Sequence, residues 1–307
     1  MGLLAKLKNN ISDRLFVRSV NRYGSKMGRT LAPIYSKYHA KCRAIYTRDS
    51  VAPDLEAVHH FRDHGFATYW TDQNKVLADS MLAKIKVLES EGKPIWDDDL
   101  GYIGDFFNEF PEVEQLFRSS LNEFLEAAYG SYVKIFYGKL YKAVRNSPAP
   151  SGSQIWHSDG GPGTCTNVMF YLSEGTKENG AMEAVTWDVS RKLFSLEKAE
   201  MRLRIAKREK ELGRSLDRNE IRETLSNWYG EEILTHYSDK HFQPIGQPGT
   251  VLAFSNNTIH RGGFPHEGHT RYVIVFHIYP SETSMPYDKY NEVGIPKIGA
   301  YPKNPAF

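Results

Sequence analysis

Two short segments of the sequence combine residue types that bind transition metals in proteins. Residues 156–161 read Trp-His-Ser-Asp-Gly-Gly, and residues 258–263 read Thr-Ile-His-Arg-Gly-Gly. His157 and Asp159 are two positions apart, so on an extended segment their side chains project to the same side. His260 can add a third ligand to that face. Two neutral imidazoles and one carboxylate suit ferrous iron and leave three coordination positions open for a cosubstrate and oxygen.

An arginine follows the second segment at a spacing that could return its side chain to the metal. Arg271 lies eleven residues after His260, and a turn with a return strand of that length can bring its guanidinium back near the metal. The guanidinium fork matches a carboxylate with two parallel hydrogen bonds. A His-x-Asp pair alone occurs by chance in many proteins, and the chain has eleven histidines. The prediction therefore depends on the conjunction of the paired ligands, the distal histidine and the arginine.

Taken together, these motifs resemble those of the Fe(II)/2-oxoglutarate-dependent dioxygenases. Within that superfamily the sequence is most similar to the phytanoyl-CoA dioxygenase-like group. The earlier segment 60–67, His-Phe-Arg-Asp-His-Gly-Phe-Ala, is similar to the helix, turn and strand near the N-terminus of that group. The resemblance covers about residues 52–285. It does not cover the basic N-terminus, a charged insert at 190–232 or the C-terminal tail.

The resemblance implies a ligand set and a reaction. His157, Asp159 and His260 would bind Fe(II), and Arg271 would hold the far carboxylate of the cosubstrate 2-oxoglutarate. With O2 as the second cosubstrate, an unactivated C–H bond would be hydroxylated while 2-oxoglutarate becomes succinate and CO2. Related halogenases have a small residue in place of the carboxylate ligand. Because this chain keeps Asp159, the resemblance favours hydroxylation.

Further side chains could contribute to the site, each with an ordinary alternative. Lys139 and Tyr141 share one face of a predicted strand, so one of them could donate to 2-oxoglutarate, although core packing is as good an explanation for the tyrosine. Thr166 could bond a carboxylate or be an ordinary strand residue. Arg261 could meet an anionic substrate or form a surface salt bridge. His277 shares a face with the arginine of the last strand, and we expect it to be an interior histidine rather than a ligand.

Short segments rich in Tyr, Val, Phe and Ile, separated by turn signals, predict the fold. We expect a mainly β chain with a double-stranded β-helix (jelly-roll or cupin-like) core. Helices would pack on its N-terminal side, and a helical insert would separate the metal motifs. The predicted strands cover 67–70, 132–144, 154–157, 167–172, 250–254 and 271–279, and predicted helices cover 73–90 and 111–130.

The chain divides into three predicted regions: a basic amphipathic helical region at 1–50, a dioxygenase domain at 51–285 and a tail at 286–307. The insert at about 190–232 lies inside the domain and is rich in charged, helix-forming residues. Asp217 and Glu220 have the spacing of a capping box for its second helix. A solvated helix face explains its charge, and a lid, a dimer contact or a contact to a phosphorylated or membrane-bound substrate are the alternatives.

Composition narrows the class of protein. The 307 residues are 40% apolar and 25% charged, as in ordinary soluble domains. No stretch approaches the 18 apolar residues of a membrane span. Cys42 and Cys165 match no metal-binding pattern, which favours a reduced, cytoplasmic location.

The charge is concentrated at the N-terminus. Residues 1–48 hold eleven Lys or Arg and one acid, so they carry +10 in a chain whose total is +2, and the remainder carries −8. Apolar residues recur there at helical spacing. A basic amphipathic helix can lie on an anionic membrane, which would place the protein peripherally at the inner membrane face. The alternatives are a packed helix with a solvated basic face and attraction to a nucleic acid.

Several function hypotheses stay open. The first is hydroxylation of a small-molecule or lipid- or sugar-linked substrate. The second keeps the fold but acts on a protein or nucleic acid, although the sequence contains no aromatic and basic pattern typical of nucleic-acid binding. The third is a catalytically inactive jelly-roll binding module. A cupin-type metal protein fits less well, because the first motif offers His-x-Asp rather than His-x-His.

Overall fold

The computed structural model describes residues 33–47, 55–98, 100–118, 120–145, 149–150, 152–159 and 165–284. Among the described residues, six α-helices and the short strand β1 (Phe66–Tyr69) precede the long strand β2 (Tyr132–Val144) in the chain. The helices are α1 (Pro33–Ile45), α2 (Leu55–His64), α3 (Asp72–Ser90), α4 (Phe106–Glu109), α5 (Glu114–Phe117) and α6 (Ser120–Tyr129), with β1 at Phe66–Tyr69 between α2 and α3. The later elements are β2 (Tyr132–Val144), β3 (Thr166–Tyr171), β4 (Glu183–Val185), α7 (Trp187–Leu212), α8 (Arg218–His236), β5 (His241–Phe242), β6 (Val251–Ser255), β7 (His260–Arg261) and β8 (Thr270–Ser281).

The strands form two antiparallel sheets. The larger sheet has the order β1-β6-β3-β8-β2, and the smaller has the order β5-β4-β7. Neighbours in the larger sheet are distant in the chain, so the sheet forms only when the segments before and after the helical insert come together. The long pair β2 and β8 runs from Tyr132 opposite Ser281 to Val144 opposite Thr270.

Helices cover one face of the larger sheet. Apolar side chains of α2 to α6 pack against alternate residues of the strands, and this cluster forms the largest core. Ile274 and Phe276 of β8 contribute to it, together with Met81 of α3 and Leu121 of α6, and all four are fully buried. The opposite face of the sheet is thereby left for other contacts.

The opposite face packs against the smaller sheet. Met169, Leu252 and Val273 of the larger sheet form an apolar cluster with Met182 and Ala184, which lie before and on β4. Because side chains alternate along a strand, β8 presents Arg271, Val273, Val275 and His277 to the space between the sheets. A cavity lined by these side chains lies there.

The insert consists of two long helices, α7 and α8. Gly213 ends α7 with a φ of +66°, a left-handed conformation that glycine adopts without strain. Asp217 accepts hydrogen bonds from the first turn of α8, and the Glu220 side chain accepts one from the backbone of Asp217. The predicted capping box is therefore confirmed.

Several predicted elements differ from the structure. The strand expected at 154–157 is wrong, since residues 152–154 form a 3-10 turn and His157 makes only an isolated bridge. The single helix expected from Pro111 to Gly130 is divided into a 3-10 turn and the helices α5 and α6. The expectation of a mainly β chain is wrong in its proportions. More of the described residues lie in helices than in strands, because the two insert helices add to those covering the sheet.

The predicted N-terminal amphipathic helix and the C-terminal tail lie outside the described residues, apart from α1. Among the helices that the structure describes, none has the length and apolar character needed to cross a bilayer.

Candidate metal and cosubstrate site

The two histidines of the sequence motifs are neighbours in the fold. His157 and His260 form an isolated antiparallel bridge, in which the N–H of each donates to the carbonyl of the other at 2.9 Å. Their imidazole rings lie 4.5 Å apart between centroids. The bridge fixes the two ligands relative to each other through the backbone.

Asp159 completes a three-sided group. Its carboxylate oxygens lie 3.5 Å from Nε2 of His157 and 3.8 Å from Nε2 of His260. One ligand atom from each of the three residues falls within a span of 4.8 Å. Two imidazole nitrogens and one carboxylate on one side of a site are the donor set of non-haem iron oxygenases. The residues present therefore fit Fe(II).

The Nδ1 atoms of both histidines are engaged in hydrogen bonds. Nδ1 of His157 donates to the carbonyl of Ile155 at 2.7 Å, and Nδ1 of His260 donates to the carbonyl of Thr258 at 2.8 Å. Each bond holds the proton on Nδ1 of the neutral ring, so the lone pair of Nε2 faces the shared space. Burial lowers the pKa of His260 to about 4 although Asp159 opposes the shift, so this ligand is neutral at pH 7.

Asp159 is ionised and oriented by its surroundings. Burial alone would raise the pKa of its carboxyl, but His260 and His157 hold that pKa well below its usual range. The Asn167 amide donates to Oδ2 of Asp159, and the backbone N–H of Asp159 donates to the carbonyl of Asn256 at 3.2 Å. Asn167 therefore leaves the other carboxylate oxygen, Oδ1, directed toward His157.

Arg271 is the most unusual cation of the site. It is only 3% exposed, and its Nε and Nη1 have no hydrogen-bond partner among the described residues. The guanidinium lies 5.6 Å from the centre of the Tyr171 ring. Burial lowers the pKa of Arg271, yet an arginine remains charged in proteins. Because a buried charge with free N–H groups is costly, a carboxylate ligand that accepts two parallel bonds fits this position.

The triad and Arg271 line one cavity of about 520 Å³ between the two sheets. Most of its apolar wall comes from the larger sheet, and its polar walls include Asn167, His277 and Lys142. This volume falls within the range of about 300–1,000 Å³ that is common for small-molecule sites. The apolar lining includes Met169, Met182, Phe254, Val273 and Val275, together with Leu100, Ala143 and Val144.

Of the remaining residues predicted to contact the cosubstrate, one lines this cavity and two have other partners. Tyr141 lines it. Lys139 instead pairs with Asp97 at 2.6 Å. The Thr166 hydroxyl bonds the Tyr129 hydroxyl at 2.5 Å on the helix-covered side of the sheet.

The Arg261 side chain is bound to Glu183 and is not among the residues that line the cavity. Its Nη2 donates to both carboxylate oxygens of Glu183 at 2.8 and 2.9 Å, and its guanidinium lies over the Trp156 ring at 4.8 Å. The structure thus gives Arg261 an ion pair within the protein, which is one of the two roles considered from the sequence.

The sequence analysis missed Asn167 as a partner of Asp159. All six residues of β3 are buried, so both faces of the strand carry mostly apolar residues. The sequence therefore shows no regular alternation that would distinguish the cavity face from the core face. One signal was available: a polar residue at 167 alternates with Met169 and Tyr171. His277, expected in the interior, lies on the cavity wall, where burial lowers its pKa despite Asp159.

Comparisons with known proteins assign no family to this chain. No family model matches the chain, and no curated protein matches it either.

Similar solved structures include the non-heme alpha ketoglutarate dependent carbocyclase SnoK from nogalamycin biosynthesis, at 14% identity and a TM-score of 0.49, covering 74% of this chain and 84% of that chain. EctD from S. alaskensis with bound Fe has the same identity and TM-score, covering 76% and 79%. The epimerase SnoN with Fe3+, alpha ketoglutarate and nogalamycin RO also has 14% identity and 0.49, covering 80% and 91%. Similarity at this level does not assign a reaction to this chain.

Proposed function

We propose that the protein is an Fe(II)- and 2-oxoglutarate-dependent dioxygenase. One observation carries the proposal: a two-histidine, one-carboxylate group lies in the same cavity as a buried arginine with unpaired N–H groups. A metal site alone fits many proteins. A second, preformed site for a carboxylate in the same cavity is what an enzyme using a dicarboxylic cosubstrate requires.

His157, Asp159 and His260 would hold the iron, and Arg271 would pair with the carboxylate of 2-oxoglutarate that is remote from its keto group. Bound iron would supply the activation of O2. In the overall reaction one oxygen atom enters a substrate C–H bond as a hydroxyl, the other enters succinate, and CO2 leaves. Because the carboxylate ligand Asp159 is present, hydroxylation is the outcome we propose.

Other residues of the chain orient the ligands and limit access of water. Asn167 fixes the Asp159 carboxylate, and the two Nδ1 bonds fix the imidazole rings. With the cosubstrate bound, the apolar walls would exclude water from the cavity, which would strengthen the charge pairing there. Tyr141 on the wall can contact the cosubstrate, whereas the side chains of Lys139 and Thr166 are bound to Asp97 and Tyr129.

The fold and domain assignments follow from the same proposal. The two antiparallel sheets would form a double-stranded β-helix, with 51–285 as the catalytic domain and 190–232 as its insert. The resemblance of the motifs supports placement in the phytanoyl-CoA dioxygenase-like group. A small-molecule or lipid- or sugar-linked substrate is proposed from the cavity volume. Peripheral contact of the basic residues 1–48 with an anionic membrane stays a prediction.

The experiment that tests the function measures succinate formed from 2-oxoglutarate by the purified protein with Fe(II) and O2. A panel of small hydroxylatable compounds is screened for stimulation. We expect succinate from the wild type, none above background from D159A, and wild-type behaviour from D239A at an exposed aspartate. Equal succinate release by the wild type and D159A would overturn the proposal.

A further inference from the structure

The two helices of the insert pack against the residues that precede the candidate metal ligands. Trp156 and Ile259 stand immediately before the two histidines, and both are buried in one apolar cluster. The rest of that cluster comes from the insert and from β4. Its members from the helices are Val189, Leu193, Trp228, Tyr229 and Ile233. The insert therefore touches the backbone of the metal site from outside the cavity.

A serine of α7 binds the peptide group before His260. The N–H of Ile259 donates to Oγ of Ser190 at 2.9 Å. The carbonyl of the same peptide group belongs to Thr258, and it accepts the bond from Nδ1 of His260 at 2.8 Å. The Ser190 hydroxyl in turn donates to the carbonyl of Thr186 at 3.1 Å. One peptide group thus connects Ser190 to the imidazole.

A serine of α8 binds the peptide group before His157 in the same way. The N–H of Trp156 donates to Oγ of Ser226 at 2.9 Å. The carbonyl of that peptide group belongs to Ile155, and it accepts the bond from Nδ1 of His157 at 2.7 Å. The same arrangement therefore occurs twice, once for each histidine and once from each helix of the insert.

The two serines are buried polar residues inside helices, which suggests that their hydroxyl groups have a specific role. Ser190 is fully buried and Ser226 is 6% exposed, and both lie within helices, where serine is a weak helix former. Hydrogen bonds in series polarise one another. A bond to the N–H of a peptide group strengthens the acceptor power of its carbonyl, which holds the Nδ1 proton and makes Nε2 a better ligand.

We propose that Ser190 and Ser226 are positioning residues for the metal site and that the helical insert serves to hold the two histidine ligands. The inference rests on the proposed function, because it assumes that the triad binds a metal. It gives the insert a role different from a lid or a solvated appendage. Each serine acts through one peptide group on one imidazole, and neither touches the metal or the substrate.

The test uses the full chain and Co(II), whose visible absorption reports its ligand geometry. Affinity is measured by competition with a chelator for S190A, S226A and the double variant. The matched controls are S195A on α7 and T235A on α8, both at exposed positions. We expect each buried-serine variant to lose about 10-fold in affinity, the lower end of the effect of groups that hold metal ligands, and the double variant about 100-fold. S190T and S226T, which keep the hydroxyl, are expected to restore affinity.

A second readout separates positioning from general stability. The Tm of each metal-free variant is measured, and the Co(II) spectrum is recorded at saturating metal. In the wild type labelled with 15N, Zn(II) binding should shift the amide resonances of Trp156 and Ile259, with smaller shifts in the alanine variants. Lower Tm with unchanged affinity and unchanged spectrum would assign the serines to folding alone and overturn the inference.

The outcomes also distinguish this inference from the proposed function. If the wild type binds neither Co(II) nor Fe(II), the proposed metal site fails, and the inference fails with it. If the wild type binds metal and the buried-serine variants bind it equally well, the proposed function stands and the inference is wrong.

Discussion

The backbones of His157 and His260 are hydrogen-bonded to each other in both directions at 2.9 Å, although they belong to segments on either side of the helical insert. The bridge means that the backbones of the two histidines cannot be separated without opening the fold. The candidate metal site therefore forms together with the sheets, and its integrity reports on the folding of both segments.

Replacing Arg271 tests the carboxylate site separately from the metal site. R271K keeps a positive charge but loses the planar fork, and R271L removes the charge. We expect the affinity for 2-oxoglutarate to fall by about 100-fold or more in R271L, since a buried charge pair is lost. Isothermal titration in the presence of Co(II) measures it. Affinity for Co(II) itself should stay within a few-fold of the wild type, and an unchanged affinity for 2-oxoglutarate would remove Arg271 from its proposed role.

Removing the Asn167 amide should weaken metal binding without emptying the site. Because its amide donates to Oδ2 of Asp159, N167A leaves the carboxylate free to rotate. We expect about a 10-fold loss of Co(II) affinity, as for other groups that hold metal ligands. Chelator competition measures the loss, with N108A at an exposed asparagine of α4 as control. Equal affinities for N167A and N108A would contradict the role.

The sequence suggested that Thr166 could bond a carboxylate of the cosubstrate, but the structure gives its hydroxyl a different partner. Its hydroxyl bonds that of Tyr129 away from the cavity. T166V should lower the free energy of unfolding by about 1 kcal/mol, the typical net value of one hydrogen bond. Denaturant titration measures this change, and Y129F should give a similar one. The affinity of T166V for 2-oxoglutarate should not change, and a marked loss would place the hydroxyl in the cosubstrate site after all.

A charged network beside the cavity predicts a dependence of stability on pH. Burial alone would raise the pKa of Glu89, but hydrogen bonds from Lys142, Lys86 and Tyr272 lower it to about 2. Since the folded pKa lies below the ordinary value of 4.5, the ionised form stabilises the fold above pH 4.5, and this contribution is lost as the pH falls toward 2. Lys142 of this network also lines the cavity.

The measurement compares the Tm of the wild type and E89Q from pH 7 to pH 2. We expect E89Q to be less stable at pH 7 and the difference to shrink through the interval between pH 4.5 and pH 2. E91Q, at an exposed glutamate of the same region, is the control. A difference between wild type and E89Q that is constant across the interval would show that the charge of Glu89 does not contribute.

The sequence predicted the long strands and the face of the last strand well. β2 has the predicted bounds, and Arg271 and His277 share the cavity face, because the period of two is visible where apolar and polar residues alternate. The motifs also brought together the three ligand candidates, which the fold places within 4.8 Å.

Other features depend on tertiary contacts that no local pattern records. Burial on both faces of β3 hid the difference between Thr166 and Asn167. The pairing of Lys139 with Asp97 needs a loop that folds back over β2. The serines of the insert looked like ordinary helix residues, since their partners are peptide groups from distant segments.

The most direct test of the account is an anaerobic titration of the purified apoprotein with Fe(II) and 2-oxoglutarate, monitored by visible absorption. The account predicts a weak metal-to-ligand charge-transfer band in the wild type, its absence in H157A, and a higher 2-oxoglutarate concentration for half-saturation in R271A. No band in the wild type with metal and cosubstrate in excess would contradict it.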